Sequence, residues 1–187
     1  WNVIGGKWYW MNSNGSIYSG WLSRPSGWYY LNADGSMATG WAKVGNTWYY
    51  MNGSGAMQRG WLNRGGTWYY LTGSGAMATG WLKQGSTWYY LKPTAKNSAE
   101  KVGEKAYNYW VGTAGIGGYY IDKYGRMVAG KDYSLGSYVY TFDANGLCTN
   151  RENRYLQVTD ANGRKYNVEK KTYLSDPQVG VDVTEDE

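Results

Sequence analysis

Histidine is missing from the 187 residues of the chain, and cysteine and phenylalanine occur once each. Without histidine the chain cannot form a Ser-His-Asp or Cys-His catalytic site, and no metal can be ligated by imidazole. The single cysteine, Cys148, has no partner for an intrachain disulfide. No segment approaches the run of about 20 apolar residues that a membrane-spanning helix needs. These absences lead us to expect no membrane span, no metal and no cofactor.

Carboxylates are scarce in the first half of the chain. Residues 1–91 contain six basic side chains but only one acidic one, Asp34, so they carry the whole net charge of +5. A single carboxylate excludes the paired-carboxylate chemistry of a glycosidase in that segment. The basic balance suits a polyanionic neighbour such as a phosphate-bearing polymer, although scattered, solvated Lys and Arg side chains would give the same charge. We expect a non-catalytic protein with no nucleic-acid partner.

Glycine and two aromatic residues dominate the composition, with 28 Gly, 21 Tyr and 12 Trp. So much glycine disfavours a helical bundle, and so many aromatic rings disfavour disorder. The rings recur every 20 residues, which is typical of a solenoid whose units are stable only when stacked on their neighbours. The two recurring tryptophan series are Trp1, Trp21, Trp41, Trp61 and Trp81, and Trp8, Trp28, Trp48, Trp68 and Trp88.

Each unit has the pattern of a β-hairpin followed by a loop. In the unit from residue 40 to residue 60, segments 41–43 and 47–51 are predicted strands, because aromatic and apolar residues flank a turn that contains Gly and Asn. The Gly- and Ser-rich segment 52–55 is a loop that lets the chain step to the next hairpin. We therefore predict an all-β solenoid of stacked hairpins.

Alternation along a strand decides which rings share a face. Trp48 and Tyr50 are predicted on one face of the second strand, and Tyr49 on the other. Trp41 lies across the hairpin from Trp48, so the two indoles of one unit can meet. The tyrosines of the opposite face are expected to lie in the core; they are Tyr29, Tyr49, Tyr69 and Tyr89.

The 20-residue pattern stops after Leu91. Segment 92–107 is charged and lacks tryptophan, which indicates a linker or an insertion, and Ser98 to Ala106 are predicted to form a short helix. Two degenerate units follow. Their tryptophan positions are held by Gly118, Lys131 and Val139.

The sequence therefore divides into three parts. Residues 1–91 are a repeat array of five units, and residues 92–149 are a linker with degenerate repeats. Residues 150–187 are a small β tail outside the repeat, in which Arg154 to Val168 are predicted to form a hairpin that turns at residues 160–163.

The aromatic faces carry the chemistry of the array, because no other reactive group recurs. Two indoles and a phenol that converge make a cage whose ring faces attract a cation, and a quaternary ammonium suits it best because it is weakly hydrated. The polarizable Met side chain would form the floor. Packing as the hydrophobic core is the competing interpretation for any single ring.

The units GWAKVGNTWYYMNGSGAMQR and GWLKQGSTWYYLKP resemble the choline-binding repeats of surface proteins from pneumococci and their phages. The match is strong over residues 1–91 and weak over 109–149. The resemblance implies that the hairpins coil as a left-handed superhelix. It also implies that choline sits between consecutive repeats, between two Trp of one hairpin and a Tyr of the next, with a Met nearby.

Carried over by position, the resemblance implies four choline pockets with methionine floors. A fifth pair, Trp81 and Trp88, would need a partner beyond Leu91, where the pattern stops. The implied pockets are Trp1, Trp8 and Tyr30; Trp21, Trp28 and Tyr50; Trp41, Trp48 and Tyr70; and Trp61, Trp68 and Tyr90; the floors are Met37, Met57 and Met77.

The resemblance further implies a module that anchors a surface protein to phosphocholine on teichoic or lipoteichoic acids of the bacterial cell wall, outside the cell. The tail resembles the distal end of phosphorylcholine esterases with such modules. Because the chain opens on a repeat residue, Trp1, we expect it to be a piece of a longer protein. Its oligomeric state stays open.

Three rival functions remain at the level of the sequence. A glucan-binding array would stack similar aromatic hairpins on sugar faces, but the recurring Met and the doubled Trp favour choline. An enzyme site in residues 92–187 is disfavoured by the lack of histidine and of any recurring pair of acids. A structural stalk is compatible with binding.

Overall fold

The computed structural model describes residues 1–169, and all the regular structure in that range is β-strand and turn, with no helix. The predicted all-β fold of stacked hairpins with a small β tail is therefore confirmed, while the left-handed coil that the resemblance implies stays a prediction. Residues 170–187, the last part of the predicted tail, lie outside the described residues. In the described part no helix has the length and apolarity that a membrane crossing requires.

Seventeen strands form seven two-stranded sheets and one three-stranded sheet in residues 1–169. The strands are β1 (Asn2–Ile4), β2 (Lys7–Tyr9), β3 (Gly20–Arg24), β4 (Gly27–Leu31), β5 (Gly40–Val44), β6 (Thr47–Met51), β7 (Gly60–Arg64), β8 (Thr67–Leu71), β9 (Gly80–Gln84), β10 (Thr87–Leu91), β11 (Tyr109–Val111), β12 (Tyr119–Ile121), β13 (Lys131–Leu135), β14 (Tyr138–Phe142), β15 (Cys148–Asn153), β16 (Tyr155–Thr159) and β17 (Lys165–Glu169). Consecutive strands form hairpins: β1 pairs with β2, β3 with β4, and so on to β11 with β12, followed by the sheet β13–β14–β15 and the pair β16–β17.

The β5–β6 hairpin confirms the predicted strands of the repeat and fixes their register. Trp41 lies opposite Tyr50, and Lys43 lies opposite Trp48. The two-residue turn begins at Gly45, whose φ of +60° lies in the left-handed region that glycine adopts without steric cost. Trp41 and Trp48 are therefore diagonal neighbours on one face of the hairpin.

The loop after each hairpin ties it to the preceding one. The backbone N–H of Met37 donates a 2.7 Å hydrogen bond to the carbonyl oxygen of Trp8, one hairpin back. The Met37 side chain lies against Gly55 of the next loop, where an added Cβ would be 2.3 Å from its sulfur. This contact explains why Gly and Met recur together. The same hydrogen bond links Met57 to Trp28 and Met77 to Trp48.

The hydrophobic core is distributed along the array. Each second strand ends in a residue with no exposed surface, which packs beneath the aromatic rings of its own and the neighbouring unit. A chain of hairpins thus buries a narrow continuous core that no unit could bury alone. These end residues are Leu31, Met51, Leu71 and Leu91.

The insertion after Leu91 contains turns and bends, so the predicted helix over Ser98 to Ala106 is wrong. Lys92 is buried, and its ammonium group lies 2.8 Å from a carboxylate oxygen of Glu100 and of Glu104. Both glutamates turn inward to this cation instead of lining a solvated helix face. The cost of burying the lysine is offset by this double pairing, which outweighs helix propensity here.

The chain divides into two compact units. The first comprises Trp1–Leu82 with Tyr90–Lys105, and the second comprises Lys83–Tyr89 with the residues from Ala106 onward. The second unit has its own core, in which Tyr120, Val128, Phe142 and Cys148 are buried.

The degenerate hairpins in the second unit depart from the predicted alignment at one position. Lys131 lies opposite Phe142, and Asp132 lies opposite Thr141. The register position that Trp21 holds opposite Tyr30 is therefore taken by Asp132, and the assignment of Lys131 to a tryptophan position was wrong. One extra residue between β12 and β13 displaces the strand, which spacing within the sequence alone did not reveal.

Two other predictions for the second unit are confirmed by the strand pairing. Val139 lies opposite Ser134, as Trp28 lies opposite Ser23. The tail hairpin is present as β16 and β17, with Thr159 opposite Lys165 around the predicted turn.

Candidate functional site

Two indoles meet edge to face in each of the first four hairpins. Their ring centroids are 6.4–6.5 Å apart and their planes are inclined by 77–89°. Two perpendicular rings form the corner of a box, with one face and one edge turned inward. The pairs are Trp1 and Trp8, Trp21 and Trp28, Trp41 and Trp48, and Trp61 and Trp68.

A tyrosine from the following hairpin supplies a third wall. The ring of Tyr29 lies 5.1 Å from Trp1, that of Tyr49 lies 4.7 Å from Trp21, and that of Tyr69 lies 4.9 Å from Trp41. These contacts cross from one hairpin to the next at the same position in each repeat. The expected core role of these tyrosines is compatible with this one, because Tyr29 and Tyr69 are buried.

Contrary to the sequence prediction, the second tyrosine of each WYY segment packs on its own hairpin instead of the preceding one. Tyr30 packs at 5.1 Å on Trp21 of its own hairpin, which lies directly opposite it. A hairpin between two others must turn opposite faces to them, and Tyr30 shares a face with its own tryptophans. The predicted third walls therefore pack within their own hairpins: Tyr30 on Trp21, Tyr50 on Trp41, Tyr70 on Trp61 and Tyr90 on Trp81.

The alternation of side chains along the WYY strand already indicates which tyrosine contacts the preceding hairpin. The first tyrosine of WYY has the opposite parity from the tryptophans, so it must face the preceding hairpin. The sequence interpretation combined each indole pair with the second tyrosine of WYY in the next hairpin, whereas the ring contacts between hairpins are made by the first tyrosine.

Two of these boxes enclose distinct cavities with a methionine in their lining. The first, of about 230 Å³, is bounded by Trp1, Trp8, Tyr29 and Met37 together with the loop at Gly53. Met37, one of the predicted floor residues, is therefore part of the lining of this cavity. The second, of about 350 Å³, is lined by Trp21, Trp28, Tyr49, Met57, Arg59 and Ser74.

The third predicted floor, Met77, lies in an equivalent place. Its side chain packs on the cluster of Tyr50, Tyr69 and Leu71, and its N–H donates to the carbonyl oxygen of Trp48. A cage of Trp41, Trp48, Tyr69 and Met77 therefore repeats the arrangement of the first two.

Tyr30 lines a larger cavity of another character. This groove of about 550 Å³ also contacts Trp8, Met37 and Trp41, but the rest of its lining is largely polar and includes Asn32 and Lys43. It lacks a perpendicular indole pair from one hairpin. We therefore assign the aromatic cages to the smaller cavities.

The cages open to solvent beside the second tryptophan. In the cage of Trp41, Trp48 and Tyr69, the outer indole Trp48 is 38% exposed, whereas Tyr69 on the inner wall is 5% exposed. A ligand can thus enter past the outer indole and meet the buried rings inside.

Among residues 1–169, no carboxylate lines either of the two cage cavities. Asp34 instead accepts hydrogen bonds from the hydroxyl and backbone N–H of Ser36 and lies 3.7 Å from Lys7. These hydrogen bonds, chiefly that from the Ser36 side chain, lower the pKa of Asp34. A cation in the cages would therefore be held by ring faces and the methionine sulfur, without an ion pair.

The backbone pattern of the array continues past the insertion. In place of a methionine, Lys105 donates its N–H to the carbonyl oxygen of Trp68 at 2.8 Å. Further on, Met127 donates to the carbonyl oxygen of Trp88 at 2.9 Å, a role that the sequence interpretation did not foresee. Among the described residues, no group of three or more His, Cys, Asp or Glu side chains is placed to hold a metal ion.

The fold and the site define a class of protein: an array of stacked hairpins with aromatic cages for an organic cation. Residues 25–60, 38–78 and 58–100 match the family model described as choline-binding repeat. A model for a cell wall binding repeat matches residues 1–17. No curated protein matches the sequence. The chain belongs to the choline-binding repeat proteins, and its aromatic clusters fit choline-binding cages.

Solved structures of pneumococcal choline-binding proteins are similar to the chain. CbpJ from Streptococcus pneumoniae TIGR4 is 38% identical with a TM-score of 0.65, and the match covers 80% of this chain and 47% of CbpJ. Choline binding protein F from the same species, solved in the presence of a peptidoglycan analogue, is 34% identical with a TM-score of 0.64. That match covers 80% of this chain and 46% of choline binding protein F. The choline-binding domain of CbpL is 28% identical with a TM-score of 0.58, over 88% and 85%. The chain thus spans under half the length of CbpJ and of choline binding protein F.

Proposed function

We propose that the cages bind the trimethylammonium group of choline. The observation that carries this proposal is the repeated box of two perpendicular indoles, one tyrosine from the next hairpin and one methionine around a small cavity. Three ring contacts of roughly 0.5–2 kcal/mol each give a few kcal/mol before entropic costs, so each site is weak. The sites that we propose are Trp1, Trp8, Tyr29 and Met37; Trp21, Trp28, Tyr49 and Met57; and Trp41, Trp48, Tyr69 and Met77.

The lining favours a quaternary ammonium over a primary one. A primary ammonium loses strong hydrogen bonds to water when it enters a cavity, and it needs acceptors in return. The part of the chain that the structure describes gives these cavities ring faces and no carboxylate. A trimethylammonium group carries its charge with weak hydration and donates no N–H, so it needs only those faces.

The ring geometry favours this ligand over a glucan. A sugar stacks on a flat aromatic platform, whereas planes inclined by 77° for Trp21 and Trp28 form a corner that fits a compact, rounded group. A saccharide remains an outcome of the tests below.

At the scale of the cell, we propose that the module holds a surface protein on the bacterial cell wall through phosphocholine of teichoic or lipoteichoic acid. Several weak sites on one array bind a repetitive polymer firmly by avidity. The net charge of +5 also suits a polymer that carries phosphate. The crystal structure of choline binding protein F in the presence of a peptidoglycan analogue supports a location of this module at the cell wall. We propose a binding role for this chain and no catalytic one.

Retention on a tertiary-amine resin tests the proposal. The chain should remain bound in high salt, which screens simple charge attraction, and elute with free choline. Choline should also raise Tm, because a ligand that binds only the folded state adds RT ln(1 + [L]/Kd) per site. Elution by salt alone, or a Tm that responds to maltose or dextran and not to choline, would contradict it.

A matched pair of variants ties the binding to the cages. Trp28→Ala removes an exposed cage wall and should lower the number of choline sites by one. Tyr124→Ala removes an exposed ring of the second unit and should leave that number unchanged. Equal loss in both variants would indicate a nonspecific aromatic surface.

A further inference from the structure

Lys105 takes a methionine's place in the array. Leu91 forms an isolated β-bridge with Lys105, as Leu71 does with Met77. The Lys105 N–H donates to the carbonyl oxygen of Trp68 at 2.8 Å, as the Met77 N–H donates to Trp48 at 2.7 Å. The backbone therefore places the Lys105 side chain at the repeat position where other units have the methionine that forms the cage floor.

The Lys105 ammonium reaches the first indole of this pair. Its Nζ lies 5.4 Å from the ring centroid of Trp61, within the distance of a cation–π contact. Trp61 and Trp68 meet edge to face at 6.4 Å, the same arrangement as in the other indole pairs. A charged group of the chain itself thus lies against the ring that would receive the ligand's cation.

The insertion holds Lys105 in this position. Gly103 donates its N–H to the carbonyl oxygen of Lys92 at 2.7 Å, and Lys92 is clamped between Glu100 and Glu104. Gly103 also lies against Met77, where an added Cβ would be 2.5 Å from the sulfur, as Gly75 lies against Met57. The residues before Lys105 therefore rejoin the repeat pattern at a fixed register.

Two other lysines near indoles differ in their position. Lys43 lies 6.0 Å from Trp48 and Lys83 lies 5.5 Å from Trp88, and both are on the first strand of the same hairpin as the exposed outer indole. Each of them lies beside the exposed outer indole of its own hairpin. Lys105 comes from the floor position and contacts the inner indole.

We propose that Lys105 is an internal cation that occupies the Trp61–Trp68 cage and lowers its affinity for choline. This inference rests on the proposed function, because it assigns a different affinity to one cage of the same array. Choline must displace the ammonium group or bind beside a like charge. The loss of the ring contact corresponds to roughly 2- to 30-fold weaker binding at this cage than at the Trp41–Trp48 cage.

Calorimetric choline titration of the full chain tests the inference. We call the Trp1–Trp8, Trp21–Trp28 and Trp41–Trp48 cages the tight sites, because they should bind choline more strongly than the Trp61–Trp68 cage does. In the wild-type background, Trp48→Ala should remove one tight site, whereas Trp68→Ala should leave the tight sites unchanged. Lys105→Met should add one tight site, and Lys105→Gln should add it in part, because Gln removes the charge but not the bulk. Lys101→Met, an exposed lysine of the same insertion, is the matched control and should change nothing.

The outcomes separate this inference from the proposed function. A tight site lost in Trp68→Ala, together with unchanged stoichiometry in Lys105→Met, would overturn the role of Lys105 while leaving choline binding intact. No site lost in Trp48→Ala would overturn the proposed function itself. Circular dichroism melts of each variant check that the fold is kept, and Lys105→Gln tests the charge if Lys105→Met repacks the floor.

Discussion

Trp21 and Tyr49 belong to neighbouring hairpins, and their ring centroids lie 4.7 Å apart with an interplanar angle of 73°. This contact joins two units through the cage itself, so the same ring pair stabilises the stack and lines the ligand cavity. Tyr50, one residue later, packs at 5.3 Å on Trp41 within its own hairpin. The two tyrosines of the WYY segment therefore have separate roles.

Tyr49→Ala should remove one choline site. The substitution deletes the third wall of the Trp21–Trp28 cage, whereas Tyr49→Phe keeps the ring and should retain the site. Because the inter-hairpin contact is also lost, Tyr49→Ala should lower the free energy of unfolding by about 3 kcal/mol. Calorimetric titration counts the sites, and urea unfolding gives the stability.

Tyr50→Phe provides the comparison for the tyrosine that the sequence first indicated. It keeps the ring that packs on Trp41, so it should preserve both the fold and the number of sites. A full complement of choline sites in Tyr49→Ala would show that the ring contact is purely structural.

Much of the fold could be predicted from the spacing of the rings. The contact between Trp41 and Trp48 on one face of the hairpin could be predicted from the period and the turn, although the register makes the two indoles diagonal and not directly opposite. The third wall was missed because the alternation that separates Tyr49 from Tyr50 was not extended to the packing of one hairpin on the next. No sequence pattern revealed that Lys92 would be buried with Glu100 and Glu104, since that pairing depends on a fold-back specific to the insertion.

Gly75→Ala should destabilise the Trp21–Trp28 cage by displacing Met57, which forms its floor. Gly75 has a φ of +86°, and an added Cβ would lie 2.3 Å from the sulfur of Met57. Left-handed backbone strain and the displaced methionine should together cost about 1–3 kcal/mol and weaken choline binding at this cage. Urea unfolding and choline titration measure the two effects.

Gly73→Ala, in the same loop, is the matched control for Gly75→Ala. Its position has open space for a Cβ and no positive φ. Similar losses in both variants would mean that the loop as a whole, and not the contact with Met57, sets the stability.

The Lys92 cluster should make stability depend on pH at both extremes. Hydrogen bonding from Lys92 first, and from the backbone of Lys96, lowers the pKa of Glu100 below 4.5. A lowered carboxylate pKa contributes stability above about pH 4.5, and this is lost as the pH falls through the folded-state value. Urea midpoints measured from neutral to acidic pH should show the loss, and Glu100→Gln should reduce it.

At alkaline pH the same cluster should lose its stabilising effect because Lys92 loses its proton. Burial acts to lower the pKa of Lys92, but hydrogen bonds and attraction from Glu100 and Glu104 outweigh it and raise the pKa above 10.5. The stability that Lys92 contributes is fully present below pH 10.5 and is lost as the pH rises through the folded-state pKa of Lys92. An acid and alkaline profile unchanged in Lys92→Met would contradict the role of the cluster.

Tyr120 should titrate late in the folded protein. Burial, with smaller contributions from Tyr133 and Asp122, raises the pKa of Tyr120 to about 12 from 10.0. The neutral phenol is favoured by the fold, so its contribution is complete below pH 10.0 and is lost as the pH approaches 12. Ultraviolet titration should show a late tyrosinate step that Tyr120→Phe removes. A step at the ordinary value would mean that the core around Tyr120 admits solvent.

A crystal structure of the chain soaked in millimolar choline tests the central claim most directly, because it locates the trimethylammonium group among the rings. The account predicts the ligand between Trp21, Trp28 and Tyr49, with its methyl groups on Met57, and equivalent ligands in the cages of Tyr29 and Tyr69. Choline bound instead in the polar groove beside Tyr30, with these cages unchanged, would contradict it.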